Sequence, residues 1–334
     1  MRRTLAVAAA IVFAALAVAA AVLLVLWMAA GTTVVRIALD WTPNTNHTGL
    51  FAAIDLGYFA DEGLEVEVLE PSPVVSLQLA ASGRADFAVS SQEYVTMARA
   101  ENVPIVSIAT LFPHNTSGFA ALSTAGIASP VDFAGHRYGG WGSDLEAVMV
   151  ATVMENVGAN PAQVEFVNMG TLDFATAAQA RLADFFWIYY GWEGVHAELL
   201  GLDFAYLPLV DLDPVLDYYT PVVVARETMI AEAPETIRAF SRALARGYVY
   251  AANFPDEAAE ILLHHAPELD RDLVLASQRW LAEESEKTLA LWGRQDAEVW
   301  RRFAEWSLVH GLMRRAIDSD AAFTNAFLPA EAPA

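Results

Sequence analysis

The chain has 334 residues, of which 55% are apolar, 11% aromatic and 18% charged, and it contains no Cys. This composition excludes a disordered chain, a collagen-like chain and a disulfide-framed domain, and it rules out thiol nucleophiles and thiolate metal sites. With 19 Lys and Arg against 41 Asp and Glu the net charge is −22. Such a charge disfavours nucleic acid as a partner.

The amino terminus predicts a membrane anchor. Arg2 and Arg3 precede 26 almost uninterrupted apolar residues, 5–30, which as a helix would rise about 39 Å and span a bilayer. The stretch is longer than a signal-peptide core, and Met28 fits the −3 position of a cut after Ala30 poorly, so an uncleaved helix is favoured over a cleaved signal. Residues 1–31 therefore predict a cell-membrane protein with an extracytoplasmic binding domain.

From Thr33 onward, short apolar runs alternate with helical patterns, which is typical of an α/β protein. Most runs are far enough apart for a helical crossover, so we expect mainly parallel sheets. The predicted strands are 33–39, 64–69, 87–89, 105–109, 119–122, 164–167, 185–188, 204–209 and 222–225. Helices are predicted at 234–252, 255–264 and 270–284, and around Val299, Phe303, Trp306, Val309 and Met313.

An internal echo indicates two similar lobes. Ala-Asp-Phe ends a helical pattern and enters a strand at 85–87 and again at 183–185. Turn-forming residues at 123–130 and 217–221 predict the crossings between the lobes. Lobe 1 is then 34–123 plus 221–330, lobe 2 is 124–220, and a cleft separates them.

Catalytic signatures are absent from the sequence. It has no H-E-x-x-H, G-x-S-x-G, Walker lysine or G-x-G-x-x-G pattern. We therefore predict no catalytic residues, no metal and no cofactor.

The first candidate binding segment is 40–49, a loop at the carboxyl end of the first strand. Open α/β sheets place ligands at such loops. Trp41 could stack on a planar ring while Asn44 contacts its polar edge. The alternative is that Trp41 packs in the core and the asparagines cap turns.

The second candidate is the glycine-rich segment 138–146. Gly140 and Gly142 allow close backbone approach, and Ser143 can cap the following helix and leave N–H groups free for an acceptor. The lack of a nearby Lys or Arg favours a neutral heterocycle next to Trp141 over a phosphate. The alternative is a purely structural turn.

The third candidate, 187–194, surrounds Glu193 with large aromatic residues at a strand end. A carboxylate there could accept hydrogen bonds from ring N–H or amino groups. The alternative is an exposed acid in the first turn of the next helix. Gln92, Glu93 and Tyr219 are further polar and aromatic candidates.

Five segments of the sequence resemble the NMT1/THI5-like family, namely 40–49, 57–64, 191–194, 217–221 and 322–329. The resemblance covers residues 34–329. That family includes solute-binding proteins of ABC importers for thiamine pyrimidine precursors, a riboflavin-binding branch, and fungal enzymes that make the thiamine pyrimidine. The resemblance implies a two-lobed type II periplasmic-binding-protein fold that closes over a flat heterocycle.

Carried over by position, the resemblance implies that Trp41 and Asn44 line the wall of lobe 1, that the glycine-rich turn lines lobe 2, and that Trp192 and Glu193 hold the ring. The complete set of predicted ligand-binding residues is Trp41, Asn44, Gln92, Glu93, Gly140, Trp141, Gly142, Ser143, Tyr190, Trp192, Glu193 and Tyr219. The fungal enzymes carry a Cys-rich iron motif that this chain lacks, which disfavours a pyrimidine synthase.

These observations predict a monomeric, membrane-tethered receptor that captures a heteroaromatic vitamin or vitamin precursor and passes it to an ABC permease and its ATPase. The ligand is an aminopyrimidine or, in close competition, riboflavin. Two other classes stay open at this point: a pyrimidine synthase, and a sensor or structural surface protein without a permease partner.

Overall fold

A computed structural model gives the structure of residues 31–70, 73–286 and 289–330. The predicted anchor, residues 5–30, lies outside these ranges. Within them, no helix combines the length and the apolar character needed to cross a membrane.

The first sheet belongs to lobe 1. Its strands are β1 (Thr33–Ala38), β2 (Leu64–Leu69), β3 (Phe87–Ser90), β4 (Ile105–Thr110) and β10 (Val222–Arg226). Their order is β2-β1-β3-β10-β4. The strands β3, β4 and β10 are buried along almost their whole length, as expected for a sheet covered by helices on both faces.

The second sheet belongs to lobe 2. Its strands are β5 (Ser117–Leu122), β6 (Arg137–Gly140), β7 (Glu165–Asn168), β8 (Phe185–Tyr189) and β9 (Phe204–Pro208). Their order, β7-β6-β8-β5-β9, repeats that of the first sheet with a different set of strands.

Both sheets are mixed, so the expectation of mainly parallel sheets was wrong. In the first sheet β1 pairs in parallel with β2 and β3, but β10 is antiparallel to β3 and β4. In the second sheet β6 pairs in parallel with β7 and β8, but β5 is antiparallel to β8 and β9. The reversed strand is in each case the first one after a crossing, where the chain enters the sheet directly rather than through a helical crossover.

The first crossing lies one strand earlier than predicted. β5 pairs in the second sheet, so the chain changes lobes within residues 111–116 rather than at 123–130. An apolar run does not show which sheet it joins, and β5 therefore looks in sequence like one more strand of lobe 1. The second crossing does lie within 217–221, directly before β10.

The two crossings are bonded to each other. The Leu111 N–H donates to the Pro221 carbonyl at 3.0 Å. His114 Nδ1 lies 2.8 Å from Asp217 Oδ2, and the other oxygen of Asp217 accepts from the Asn115 N–H at 3.0 Å. The hinge is therefore a pair of hydrogen-bonded segments.

Helices cover both sheets. Those of lobe 1 before the crossing are α1 (Thr48–Asp55), α2 (Tyr58–Asp61), α3 (Pro73–Ala81) and α4 (Gln92–Ala100). Lobe 2 has α5 (Asp144–Asn156), α6 (Phe174–Gln179), α7 (Val195–Leu199) and α8 (Leu209–Leu212). The chain then forms α9 (Glu227–Glu232), α10 (Pro234–Asn253), α11 (Pro255–His265), α12 (Arg271–Glu286) and α13 (Ala297–Val309). The four predicted C-terminal helices are thus confirmed, although Met313 lies beyond the end of α13 and is buried there.

The Ala-Asp-Phe echo marks equivalent positions in the two sheets. Asp86 Oδ2 accepts the N–H of Arg36 in β1, and Asp184 Oδ2 accepts the N–H of Arg137 in β6, both at 2.9 Å. The following phenylalanine begins β3 in one lobe and β8 in the other, and it is fully buried in both. The aspartate therefore joins neighbouring strands where the apolar core begins.

β6 was not predicted, because Gly139 and Gly140 suggested a turn. A Cβ on Gly139 would lie 2.6 Å from Met169 and 2.7 Å from Phe186. The glycine therefore allows close packing on the second sheet rather than a change of chain direction.

Candidate functional site

The carboxyl ends of β1 and β3 in lobe 1 and of β6 and β8 in lobe 2 carry the candidate residues. Electrostatic contacts across the lobes show that these ends face each other. Burial and then the charge of Glu93 raise the pKa of Tyr189, which is the last residue of β8. Burial, Glu93 and Glu146 of lobe 2 raise the pKa of Tyr94.

Trp41 is accessible, whereas Asn44 is committed to its own loop. The Trp41 side chain is 43% exposed immediately after β1. Asn44 Oδ1 accepts the Asn46 N–H at 2.9 Å, and its Nδ2 donates to the Thr42 carbonyl at 3.0 Å. Asn44 thus caps a turn, as the structural alternative proposed, while Trp41 is free to contact a ligand.

The same loop fixes Asp40 through a buried histidine. His47 Nδ1 accepts the Asn44 N–H at 3.3 Å, and His47 Nε2 lies 2.8 Å from Asp40 Oδ1. Because Nδ1 is an acceptor, the proton is on Nε2 and is donated to the carboxylate. His47 therefore orients Asp40 through a hydrogen bond.

Glu93 is a buried carboxyl group in the first turn of α4. Its side chain is only 5% exposed, and its Oε2 has no hydrogen-bond partner within the described part of the chain. Burial, with a further contribution from Asp40, raises the pKa of Glu93 to about 7. Contacts with the Ser91 side chain and with the backbone of Glu93 oppose this rise in pKa without cancelling it. A further donor from a ligand would stabilise the buried carboxyl group.

Gln92 and Tyr219 are bonded within lobe 1. Gln92 Oε1 accepts the Tyr219 N–H at 2.9 Å, and its Nε2 donates to the Val299 carbonyl at 3.3 Å. The Tyr219 hydroxyl accepts the Asp296 N–H at 2.8 Å. These contacts join α4, the second crossing and α13, so both side chains are committed to internal contacts.

The glycine-rich turn holds an internal carboxylate. Glu146 Oε1 accepts from the Tyr138 hydroxyl at 2.8 Å and from the Trp141 N–H at 2.9 Å, and Oε2 accepts from the Ser143 N–H at 2.8 Å. A Cβ on Gly140 would lie 2.1 Å from Glu146 Oε1. Glu146 thus accepts the N–H groups of Trp141 and Ser143 in the turn that precedes the helix.

An aromatic row follows from this turn. Trp141 is 39% exposed, and its ring centroid lies 5.0 Å from that of Trp187, which lies 5.7 Å from that of Tyr189. Trp187 Nε1 donates to the Ser117 hydroxyl at 2.7 Å, which fixes the middle ring. Gly142 has a φ of +83°, which favours glycine next to the exposed indole.

Tyr190 and Trp192 contact lobe 1 from a π-helical turn, Tyr190–Gly194. The Tyr190 ring lies 4.6 Å from Tyr206 and 5.2 Å from Trp280 of α12, and its hydroxyl donates to Glu198. The Trp192 ring is half-buried and packs against the core of lobe 1. Both rings therefore contribute to the contact between the lobes.

A hydroxyl bridge reinforces this contact. The Ser277 hydroxyl of α12 donates to the Gly191 carbonyl. Its oxygen also lies 2.6 Å from the Thr45 hydroxyl oxygen. The bridge connects the Trp41 loop of lobe 1 with the π-helical turn of lobe 2.

Glu193 is half-buried, and its Oε2 accepts the Tyr189 N–H at 3.1 Å. Burial raises its pKa to about 7, and Asp173 contributes in the same direction. Lobe 2 thus has a carboxyl group whose charge is disfavoured, as lobe 1 has in Glu93.

The structure adds Asp40, Tyr94, Trp187, Tyr189 and Glu146 to the predicted site residues. Asp40, Trp187 and Tyr189 lie within the segments that the sequence had singled out, and Tyr94 directly follows the candidate Glu93. For Glu146 the signal was a Ser-x-x-Glu capping box starting at Ser143, which the structure confirms.

A family model described as NMT1/THI5 like matches residues 44–258. The formylaminopyrimidine-binding protein of Halalkalibacterium halodurans is 31% identical over 296 residues, which cover 87% of this chain and 89% of that protein. The riboflavin-binding protein RibY of Chloroflexus aurantiacus is 30% identical over 316 residues, 88% of this chain and 86% of that protein. A 4-amino-5-hydroxymethyl-2-methylpyrimidine phosphate synthase of Legionella pneumophila is 25% identical over 306 residues, 88% of this chain and 92% of that protein.

Among solved structures, the periplasmic aliphatic sulphonate binding protein SsuA from Escherichia coli superposes with a TM-score of 0.68 at 12% identity. The match covers 86% of this chain and 91% of that one, and it shows a shared two-lobed fold. This fold and the two relatives at 30% identity or more define the class, a solute-binding protein rather than an enzyme. Within that class the chain belongs to the NMT1/THI5-like family, as the sequence motifs predicted.

Proposed function

We propose that the protein captures a heteroaromatic vitamin precursor outside the cytoplasm and delivers it to an ABC permease and its ATPase. The observation that carries this proposal is the pairing of accessible aromatic faces, Trp41 in lobe 1 and Trp141 in lobe 2, with the buried carboxyl group of Glu93. Aromatic faces bind a planar ring by stacking, and a carboxyl group accepts hydrogen bonds from its N–H groups.

An aminopyrimidine is the ligand that these groups suit best. Its amino groups are donors, whereas Glu93 and Glu193 provide acceptors whose charge is disfavoured while the site is empty. The carboxylate of Glu146 lies against the turn before α5 and accepts the N–H groups of Trp141 and Ser143, and a negative charge there disfavours a phosphate. The name of the Halalkalibacterium relative is consistent with a pyrimidine ligand.

Riboflavin is the second candidate. The exposed ring of Trp141 packs edge-on against the buried ring of Trp187, which lies next to Tyr189, and this aromatic wall would support a fused ring system stacked on Trp141. The Chloroflexus relative carries a riboflavin-binding name.

The test is an equilibrium titration of the purified full chain with an aminopyrimidine and, separately, with riboflavin. An aminopyrimidine is expected to change Trp fluorescence, and flavin emission would be quenched on stacking if riboflavin were the ligand. Trp41→Ala and Trp141→Ala should each weaken binding by about tenfold or more. Phe254→Ala is the matched control, since Phe254 is a half-exposed aromatic residue at the end of α10. Unchanged affinity in both tryptophan variants would refute the proposed pocket.

The location and assembly state form a second part of the proposal. We propose that residues 5–30 hold a monomeric binding domain at the outer face of the cell membrane. The full chain should fractionate with membranes, and a chain beginning after residue 30 should not. Light scattering of the detergent-purified protein should give the mass of one chain.

A further inference from the structure

We infer that lobe 1 carries a second binding site, outside the cleft, for a small carboxylate with an apolar ring or chain. A cavity of about 190 Å³ lies between α10, the segment 289–294 and the C-terminal segment 325–330. Of the candidate cleft residues described above, none lines this cavity. The site therefore goes beyond the proposed function, which concerns the cleft.

The segment 289–294 forms the first wall, and contacts with the core of lobe 1 hold it in place. Trp292 stacks on Tyr248 of α10 with ring centroids 5.2 Å apart. The Gly293 carbonyl accepts the N–H of Thr110, the last residue of β4, at 3.0 Å. Gly293 has a φ of +82°, and a Cβ there would lie 2.7 Å from Leu328. Glycine is therefore needed where this wall meets the C-terminal segment.

The C-terminal segment forms the second wall, and it is fixed although it contains neither a helix nor a strand. Asn325 Oδ1 accepts the Gln295 N–H at 3.0 Å, and its Nδ2 donates to the Gln295 carbonyl at 2.8 Å. Arg238 of α10 donates to the Ala326 carbonyl at 2.6 Å, and its guanidinium lies 5.1 Å from the centroid of the Phe327 ring. Both walls are thus in place before a ligand arrives, which lowers the cost of binding.

The cavity offers mainly apolar contacts. Leu289, Leu291 and Leu328 contribute branched chains, and Trp292 contributes a ring. Leu291 is 60% exposed, so contact with an apolar ligand would remove apolar surface from water. Since an apolar cavity of about 150 Å³ holds benzene, a cavity of about 190 Å³ has room for one ring with a small substituent.

Arg294 gives the site its charge. Its side chain is exposed and forms no ion pair with any residue that the structure describes. The nearest acid along the chain, Asp296, is committed to the start of α13, where its Oδ1 accepts the Glu298 N–H at 2.8 Å. A guanidinium at the rim of an apolar cavity suits a carboxylate, because the two oxygens can accept two of its N–H groups.

The acidic character of the chain does not oppose an anion at this place. The net charge of −22 is distributed over 334 residues, and salt at physiological ionic strength screens exposed charges that are more than about 8 Å apart. The local contact with Arg294 therefore decides the sign of the ligand. The ligand class is an aromatic or branched-chain carboxylate of about the size of benzoate.

Fluorine NMR of the full chain labelled with 5-fluorotryptophan tests the site, with benzoate and benzamide as probes. The chain has nine Trp residues, and Trp292→Phe identifies the resonance that reports on the cavity. Benzoate should shift this resonance with a Kd of about 1 mM or below. Benzamide has the same ring without the charge and should bind about fivefold more weakly. The resonances of Trp41 and Trp141, identified in the same way, should not shift.

Arg294→Gln should abolish the preference for benzoate and leave the Kd of benzamide unchanged. Arg314→Gln is the matched control, since Arg314 is an exposed arginine beyond the end of α13, and it should leave both Kd values unchanged. Both arginines are exposed, so neither change should disturb folding, which thermal unfolding checks.

An unchanged Trp292 resonance with either probe at about 20 mM would overturn the inference. Equal binding of the two probes, or a preference for benzoate that survives Arg294→Gln, would refute the carboxylate class. Shifts at Trp41 or Trp141 instead of at Trp292 would place the probes in the cleft and remove the second site. None of these outcomes affects the proposed function, which the titrations with an aminopyrimidine and with riboflavin test separately.

Discussion

In lobe 1, Asp86 precedes β3, and Phe87 stacks on Phe240 of α10 with ring centroids 3.8 Å apart. In lobe 2, Asp184 precedes β8, and Phe185 stacks on Phe133 at 4.1 Å. The two sheets also share one strand order, including the reversed strand beside the hinge. The two sheets differ in the helices around them. The helices α10 to α13 all follow the second crossing, after the chain has returned to lobe 1.

The two lobes carry similar groups at the cleft but bury them differently. Each has an accessible indole just past a strand end, Trp41 in lobe 1 and Trp141 in lobe 2. Each also has a carboxyl group whose pKa is raised by burial, but Glu93 in lobe 1 is buried and Glu193 in lobe 2 is half-buried. The two lobes share the packing inside their sheets and differ in the residues just beyond the strand ends.

The largest expected effect comes from the paired phenylalanines. Phe87→Ala and Phe185→Ala should each reduce the free energy of unfolding by about 3–5 kcal/mol, because each leaves a cavity in a fully packed core. Urea denaturation measures the loss. Phe→Leu at the same positions is the control and should lose less unfolding free energy, because leucine leaves a smaller cavity. A loss in only one lobe would show that the two sheets are not energetically equivalent.

The two acids of raised pKa, Glu93 and Glu193, should show the next largest effect, and it depends on pH. Burial raises the pKa of Glu93 to about 7 in the folded protein, so the protonated form is favoured and stability is lost as pH rises from the unfolded value toward 7. Glu93→Gln should therefore stabilise the protein at pH 8 by up to about 3 kcal/mol and change little at pH 4.

Glu193→Gln is the matched variant in lobe 2. Because Glu193 is half-buried, solvent screens its charge, and the gain at pH 8 should be smaller, about 1 kcal/mol. Denaturation of both variants at pH 4 and pH 8 tests the comparison. If the unfolding free energy rises equally at pH 4 and pH 8, ionisation of the carboxyl group is not the cause of the gain.

Substituting the aspartates of the two Ala-Asp-Phe segments should reduce the free energy of unfolding by smaller amounts, which differ between the lobes. Asp184 accepts from Arg137 through the N–H, Nε and Nη2, at 2.9, 3.2 and 2.9 Å. Among the described residues, the Asp86 carboxylate accepts a hydrogen bond only from the Arg36 N–H, and the Arg226 guanidinium lies 3.9 Å away. Asp184→Ala should cost about 2–3 kcal/mol of unfolding free energy and Asp86→Ala about 1–2 kcal/mol. If urea denaturation shows a larger loss for Asp86→Ala than for Asp184→Ala, the ion pair between Asp184 and Arg137 adds nothing to the backbone hydrogen bond that both aspartates accept.

The smallest effect is expected at the hinge between the lobes. The hydrogen bond to Asp217 raises the pKa of His114, so its stabilising effect is present below the unfolded pKa and is lost as pH rises through the folded one. His114 is largely exposed, and His114→Gln should cost less than about 1 kcal/mol at pH 5.5 and nothing at pH 8.5. Thermal unfolding at the two pH values measures this, and an equal loss at both would exclude the ion pair as its source.

The strands of both sheets could be predicted well wherever apolar residues formed a run. The alternation of apolar and acidic residues in Leu64–Leu69 shows from the sequence alone that the acids share the more exposed face of that strand. β6 could not be found, because close packing against Met169 and Phe186 requires glycine there, and glycine normally indicates a turn. The position of the first crossing was missed because strand direction and sheet membership depend on partners far along the chain.

The site could be predicted only where exposure follows from local sequence. Trp41 and Trp141 lie just past strand ends, and the structure leaves both accessible. Gln92, however, is bonded to Val299, more than 200 residues away, and no local pattern reveals such a partner. The carboxylate of Glu146 occupies the glycine-rich turn for a related reason, since a capping box shows a helix start but not that the Trp141 N–H joins it.

The two segments that cross between the lobes continue the antiparallel pair β4–β10 on the side of lobe 1, and on the side of lobe 2 the first leads into β5 while the second follows α8 and the turn at Pro214–Leu216. Two hydrogen-bonded segments bend together more readily than they slide past each other, because sliding would break the hydrogen bonds between them. Opening and closing should therefore follow a single arc rather than a free swivel. A ring entering along that arc would meet the indole of one half and the acids of the other in the same orientation each time.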